Sequence, residues 1–277
     1  MRPVDKYAVF GNPVRHSKSP GIHKAFAQQF RQEIQYRAIL VAHGGFTKAA
    51  DRFFSSGGHG LNVTVPFKPD ACRYANRLSA RARRAGAANT LKKSESGQIL
   101  AYNTDGPGLV RDLVGNLGWE ISGRQVLVLG AGGAVRGVLE TLLGENPAQL
   151  TVANRTVAKA RDLASCFTEF GPVRGGGFEE LAGQQFDLVI NGTAASLVGE
   201  LPPLSTGLLT ERSCCYDMMY AGEPTIFMRW AARNAAWAVA DGLGMLVEQA
   251  AESFYLWGGR RPQTGPVIAA VRREMQG

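Results

Sequence analysis

The segment Gln125-Val126-Leu127-Val128-Leu129-Gly130-Ala131-Gly132-Gly133-Ala134 restricts this chain more than any other. An apolar run that passes straight into glycines and then into a helical pattern predicts a buried parallel strand, a tight turn and a helix. Such a turn gathers unpaired backbone N–H groups and the positive end of a helix dipole in one place, which suits a pyrophosphate. Gly130 permits the turn, and Gly132 lets the backbone approach the phosphates. A second apolar run, Leu150-Thr151-Val152-Ala153, ends in Asn154-Arg155-Thr156. At this distance, about twenty residues on, a carboxylate would accept hydrogen bonds from an unmodified ribose. Arg155 offers a guanidinium instead, and charge-assisted bonds to a phosphate are worth roughly 1.5–3 kcal/mol each. The pattern therefore predicts NADP(H) over NAD. Because Val135 stands where the fingerprint has Gly or Ala, the glycines alone fit many strand-turn-helix units, and Arg155 supplies the discrimination. Thr156 is the expected N-cap of a helix beginning near Val157.

At 277 residues the chain exceeds the usual size of one domain, and two domains are expected. No run approaches the ~20 apolar residues of a membrane span, and the opening Met1-Arg2-Pro3-Val4-Asp5 has no apolar signal core, so a cytoplasmic protein is expected. Cys72, Cys166, Cys214 and Cys215 lack metal-ligand spacing, and His16, His23, His43 and His59 are scattered singly. Reduced structural thiols and no metal site follow as expectations. The net charge of +8 suits anionic ligands. Basic clusters at Arg81-Ala82-Arg83-Arg84, Arg260-Arg261 and Arg272-Arg273 lack the interleaved aromatics of a nucleic-acid surface and read as solvated helix faces, so neither nucleic acid nor membrane is an expected partner.

The first hundred or so residues alternate strand-like and helical patterns in βαβαβ rhythm, from Tyr7-Ala8-Val9-Phe10 through Tyr36-Arg37-Ala38-Ile39-Leu40 to Gly60-Leu61-Asn62-Val63-Thr64-Val65, and close near Gln98-Ile99-Leu100-Ala101-Tyr102. After Gly106-Pro107-Gly108 a helix leads into the nucleotide unit, which continues through Phe186-Asp187-Leu188-Val189-Ile190, Cys214-Cys215-Tyr216-Asp217 and Trp237-Ala238-Val239-Ala240 as buried strands. The expected class is α/β, with an α/β substrate domain of mostly parallel sheet over 1–103 and a Rossmann-like NADP domain over 104–240. Helices over 241–277 are expected to return to the first domain, with the ligands in a cleft between the two. Gly57-Gly58-His59-Gly60 and Gly175-Gly176-Gly177 read as mobile connections.

Four segments place polar groups at strand ends or helix starts, where open α/β sheets bind ligands: Ser17-Lys18-Ser19-Pro20, Asn62-Val63-Thr64-Val65-Pro66-Phe67-Lys68, Asn89-Thr90 and Asn103-Thr104-Asp105-Gly106. Pro20 fits the first helical position and makes Ser19 the predicted N-cap. Capping leaves Ser17 unexplained, and two hydroxyls beside a helix N-terminus suit a carboxylate. Taken singly, Lys68 reads as an exposed lysine and Asp105 as an N-cap. Together they offer an ammonium and a carboxylate from neighbouring strand ends, the pair needed to move a proton on and off a hydroxyl. The lysine could equally steady a developing alkoxide by its charge.

These segments, with Gly86-Ala87-Ala88-Asn89-Thr90, Asn191-Gly192-Thr193 and Asp241-Gly242-Leu243-Gly244-Met245-Leu246-Val247-Glu248-Gln249-Ala250, resemble the shikimate dehydrogenase family in order and spacing from about Tyr7 to Ala251. The resemblance implies reversible reduction of 3-dehydroshikimate to shikimate with NADPH, on the route to chorismate and the aromatic amino acids. It implies Lys68 and Asp105 as the catalytic pair. Ser17, Ser19 and Tyr220 would lie at the substrate carboxylate, and Asn62, Thr64, Asn89, Asp105 and Gln249 at ring hydroxyls. The cofactor would meet Gly130, Ala131, Gly132, Gly133, Ala134, Asn154, Arg155, Thr156 and Lys159, with Thr193, Met218, Gly242 and Met245 around the nicotinamide. Met245 and Gln249, four residues apart, can share one helix face. Met218 and Met245 would also serve as core filler. Lys159 stands where the family often has an arginine. A quinate/shikimate dehydrogenase of broader substrate or cofactor use, and a non-catalytic NADP(H)-responsive module, are the competing readings. Monomer and homodimer both stay open.

Overall fold

The structure, a computed structural model, describes residues 4–193, 195 and 199–277; the first three residues of the opening segment lie outside it. The chain forms two compact units, one from Met1–Gly108 with Val247–Val271, the other from Leu109–Leu246 with Arg272–Gly277.

The first unit runs β1 (Asp5–Gly11), α1 (Ser19–Gln29), β2 (Ile34–Leu40), α2 (Phe46–Ser55), β3 (Gly58–Val63), α3 (Lys68–Tyr74), β4 (Arg77–Leu78), α4 (Ala80–Ala85), β5 (Thr90–Lys93) and β6 (Ile99–Tyr102). Its six strands lie in the order β2-β1-β3-β5-β6-β4. β1 is parallel to both neighbours, while β5 runs antiparallel to β3 and β6, a reversal that the short Thr90-Leu91-Lys92-Lys93 run did not announce. One core packs Phe10, Leu61, Val63, Phe67 and Leu91 beneath the buried stripe Phe46, Ala50, Phe54 of α2, spaced four residues apart as a helix face requires.

The second unit carries the sheet β12-β11-β10-β7-β8-β9, wholly parallel, built from β7 (Gln125–Leu129), β8 (Gln149–Ala153), β9 (Val173–Gly176), β10 (Phe186–Asn191), β11 (Leu209–Asp217) and β12 (Ala238–Asp241). From β9 to β12 this is the doubly wound order, in which the sequence turns back between β7 and β10. The remaining helices of the chain are α5 (Asp105–Val110), α6 (Gly133–Gly144), α7 (Val157–Ser165), α8 (Ile226–Arg233), α9 (Leu243–Gly258) and α10 (Gly265–Gln276), with a π-helical turn at Arg111–Asn116; most of α5, α9 and α10 belongs to the first unit. The unit boundaries fall inside α5, α9 and α10.

Both glycine runs expected to be mobile run into strands, with Gly57 at φ +91° in the turn before β3 and Gly177 just past the end of β9. Gly58 and Gly60 belong to β3, where the ring of Phe53 covers one and Trp257 the other, and Trp257 stacks on Tyr7 at 4.7 Å. Gly175 belongs to β9, and an added Cβ there would overlap the backbone of α7 at Ala160. Close approach, rather than flexibility, explains these glycines. The four cysteines are free; burial pushes the thiols of Cys214 and Cys215 up to about 11 and about 12, which keeps them protonated. Among the described residues no helix is long and apolar enough to cross a membrane.

Candidate active site and nucleotide loop

In the first unit the polar groups gather where β3, β5 and β6 end. After β3, the Thr64 N–H donates to the Phe10 carbonyl at 2.9 Å and the Thr64 carbonyl accepts from Phe67 at 3.0 Å, which turns the chain so that α3 begins at Lys68. After β6, Asn103 Oδ1 accepts from the Asp105 N–H at 3.1 Å and the Thr104 carbonyl accepts from Gly108 at 3.0 Å, so α5 begins at Asp105. The two helix starts bring Lys68 Nζ to 2.5 Å from Asp105 Oδ2. These side chains are 26% and 10% exposed, so Lys68 is not a solvated lysine and the Asp105 carboxylate is not spent on capping.

Asn89 fixes the other carboxylate oxygen. Its Oδ1 accepts from the Thr104 backbone N–H at 2.9 Å, an obligate donor, which leaves Nδ2 to donate to Asp105 Oδ1 at 2.8 Å. The same Nδ2 lies 3.3 Å from Gln249 Oε1 on α9. Asn62 is oriented in the same way: Nδ2 faces the Asn89 carbonyl at 3.2 Å and Ser253 Oγ at 3.0 Å, so Oδ1 takes the hydroxyl of Tyr36 at 2.8 Å.

The start of α1 differs from expectation. Lys18 occupies the N-cap position and Ser19 the first helical one, while Ser17 Oγ accepts from the Ser19 N–H at 3.3 Å. The Ser19 hydroxyl is thereby released from capping and lies against the phenol of Tyr36. Thr64 has its methyl against Gly11, and its hydroxyl makes no hydrogen bond among the described residues. Tyr220 belongs to the second unit, where burial and then the charge of Asp241 push its phenol up.

In the second unit, Gly130 takes φ +104° directly after β7 and donates to the Ala153 carbonyl at 2.7 Å, which ties the glycine turn to the end of β8 beside Asn154 and Arg155. α6 begins at Gly133 with Gly132 as N-cap, so no side chain takes up its first N–H groups. Arg155 and Lys159 are exposed, and neither forms an ion pair among the described residues. Thr156 is at the N-cap of α7 as expected, yet its hydroxyl does not cap; the Thr156 carbonyl accepts from Asn154 Nδ2 at 3.0 Å. At the next strand end, fully buried Asn191 accepts from the Thr193 N–H and hydroxyl and donates to Asp217 at 3.1 Å. Met218 sulfur sits over Gly192, and Gly242 meets the Met218 carbonyl so closely that no Cβ fits. Met218 and Met245 are 7% and 8% exposed and both belong to the core of this unit.

Thr90 and Thr104 lie in segments that the sequence marks, yet only the structure joins them to Asn89 and Ser253; Tyr36 and Ser253 are not marked at all. Ser253 lies one helical turn beyond Gln249, a spacing that could have marked it; Tyr36, in an ordinary alternating strand, carried no such mark.

Residues 9–91 match the family described as the shikimate dehydrogenase substrate binding domain, 112–198 the shikimate/quinate 5-dehydrogenase family, and 242–272 the shikimate 5'-dehydrogenase C-terminal domain. The shikimate dehydrogenase (NADP(+)) of Cellvibrio japonicus is 56% identical over 272 residues, 98% of each chain. The chain belongs to the shikimate dehydrogenase family. Among solved structures, an Ael1 enzyme from Pseudomonas putida superposes with a TM-score of 0.90 at 44% identity, covering 96% of this chain and 97% of that one. The shikimate 5-dehydrogenase of Thermus thermophilus, solved with NADP(H) and shikimate, gives 0.87 at 31% identity over 98% and 99%. Those coverages extend the shikimate dehydrogenase likeness over both units.

Proposed function

We propose that this chain is a cytoplasmic enzyme that reversibly reduces 3-dehydroshikimate to shikimate with NADPH, working on small molecules and not on nucleic acid or membrane, as a monomer or a homodimer. The observation that carries the reading is the 2.5 Å contact between Lys68 Nζ and Asp105 Oδ2, with Oδ1 held by Asn89. A proton must reach the substrate oxygen as the ketone becomes an alcohol. Lys68 delivers it, and Asp105, immobilised by Asn89, aims the ammonium and accepts from the adjacent hydroxyl. Ser17, Ser19 and Tyr220 take the substrate carboxylate. Asn62, Thr64, Asn89 and Gln249 take the ring hydroxyls.

The second unit fits NADP(H). Uncapped N–H groups at the start of α6 suit the pyrophosphate, and the exposed cations Arg155, just past β8, and Lys159, in the first turn of α7, suit the extra phosphate. Gly130, Ala131, Gly132, Gly133, Ala134, Asn154 and Thr156 complete that end; Thr193, Met218, Gly242 and Met245 surround the nicotinamide. NADPH, when bound, supplies the hydride.

The test is shikimate-dependent formation of NADPH, followed by the absorbance of the reduced nicotinamide and repeated with quinate and with NAD. Turnover is expected with shikimate and NADP, and far less with either replacement. Equal turnover of quinate would move the chain to the broader quinate/shikimate class, and no turnover with any pair would overturn the reading.

A further inference from the structure

Two hydroxyls that touch none of the catalytic pair, a half-buried one on Tyr36 and a buried one on Ser253, link the side chains assigned to the substrate. The Tyr36 hydroxyl on β2 donates to Asn62 Oδ1 on β3 at 2.8 Å and lies against the Ser19 hydroxyl on α1. Ser253 on α9, fully buried, accepts from Asn62 Nδ2 at 3.0 Å, lies 2.7 Å from Thr90 Oγ1 on β5, and donates to the Gln249 carbonyl at 3.0 Å. Asn62 is thus gripped at both ends of its amide. The Asn89 carbonyl cannot donate, so the atom facing it must be nitrogen, and the amide has no alternative orientation. Its two N–H bonds are consumed inside the protein. Towards a ligand Asn62 can offer only the remaining lone pair of Oδ1, which suits a hydroxyl donor and not a ketone or carboxylate. The imidazole of His23, stacked on the Tyr36 ring at 4.4 Å with 10° between planes, holds that phenol in line.

We propose that Tyr36 and Ser253 are positioning residues that hold Ser19, Asn62 and Gln249, from three different elements, in one frame facing the substrate. This rests on the substrate roles proposed above. Neither residue acts on the reacting atoms itself; each acts through the side chains it holds, and Asn62 is the one they share.

Tyr36→Phe keeps the ring and its stack on His23 and removes only the hydroxyl. Ser253→Ala removes the other hydroxyl while improving helix propensity, so α9 itself is not weakened. Each variant is expected to raise KM for shikimate by about threefold to tenfold, as loss of one oriented hydrogen bond does, with KM for NADP unchanged and Tm within a few degrees of wild type. Because both act on one amide, the double variant is expected to fall short of the product of the single effects. If wild type turns over shikimate and both variants keep its KM within twofold, the proposal is overturned. It is equally overturned if both KM values rise in step with a loss of Tm, which is the mark of a purely structural role. Wild type run alongside reports separately on the underlying activity.

Discussion

Inside the second unit the phenol of Tyr216 donates to Asp112 Oδ2 at 2.6 Å, with the carboxylate packed directly on Gly244 at the start of α9. Both residues are buried, at 0% and 3% exposure, and Asn116 Nδ2 holds the second oxygen at 3.0 Å. Burial first, and the neighbouring carboxylate second, keep the Tyr216 phenol far above its ordinary range, so it remains a donor at all working pH values. A bond to a charged acceptor in such a place contributes about 1.5–3 kcal/mol. Tyr216→Phe should lower the unfolding free energy by that amount in urea melts. Gly244→Ala should cost at least as much, because the new methyl overlaps the Asp112 carboxylate. Unchanged midpoints for both variants would contradict this account.

Lys68 and Asp105 form a close pair on the first unit. If they carry the proton, Lys68→Ala and Asp105→Asn should each reduce kcat by about 10²–10⁴-fold. NADP binding, followed by quenching of intrinsic fluorescence, should stay near wild type, since the glycine turn belongs to the other unit. Near-normal turnover in both variants would refute the assignment.

Arg155 is exposed beside the glycine turn and free of carboxylate partners among the described residues. One lost charge-assisted bond predicts that Arg155→Ala raises KM for NADP by about 10- to 100-fold. KM for NAD should change by less than about threefold, because NAD lacks the phosphate that the guanidinium reads. Parallel loss with both cofactors would show that Arg155 does not discriminate between them.

His23 is fully buried, and among the described residues neither ring nitrogen has a hydrogen-bond partner, although the Asn62 amide is near enough to bear on its charge. Burial holds its pKa at about 3, a shift that Asn62 slightly opposes. The folded chain therefore keeps the imidazole neutral, whereas the unfolded chain protonates near 6.5. Between these values the unfolded state binds the extra proton, so stability falls as pH drops below about 6.5, by up to about 1.4 kcal/mol per pH unit. Wild-type Tm should decline from about pH 7.5 to about pH 5, and His23→Leu should decline measurably less. An identical decline in the variant would remove His23 as the cause.

The parallel nucleotide unit was legible because its signals are local. Gln125–Leu129 running into Gly130, and Leu150–Ala153 running into Arg155, are strand-turn patterns that sequence periodicity records directly, and the strands fall where those runs do. The Asn62 to Lys68 and Asn103 to Gly106 segments likewise marked the polar strand ends in advance. What stayed hidden depends on contacts distant along the chain. The antiparallel β5, the strand role of Gly58 and Gly175, and the release of Ser19 from capping all follow from what packs against them: Trp257 and Phe53 over β3, α7 over β9, and Tyr36 beside Ser19. Local sequence sets which residues can form a strand, a turn or a charged pair. Only the folded chain decides which lone pair of Asn62 faces outward, because that choice is made by Tyr36, Asn89 and Ser253, whose hydrogen bonds exist only once β2, β3, β5 and α9 have met.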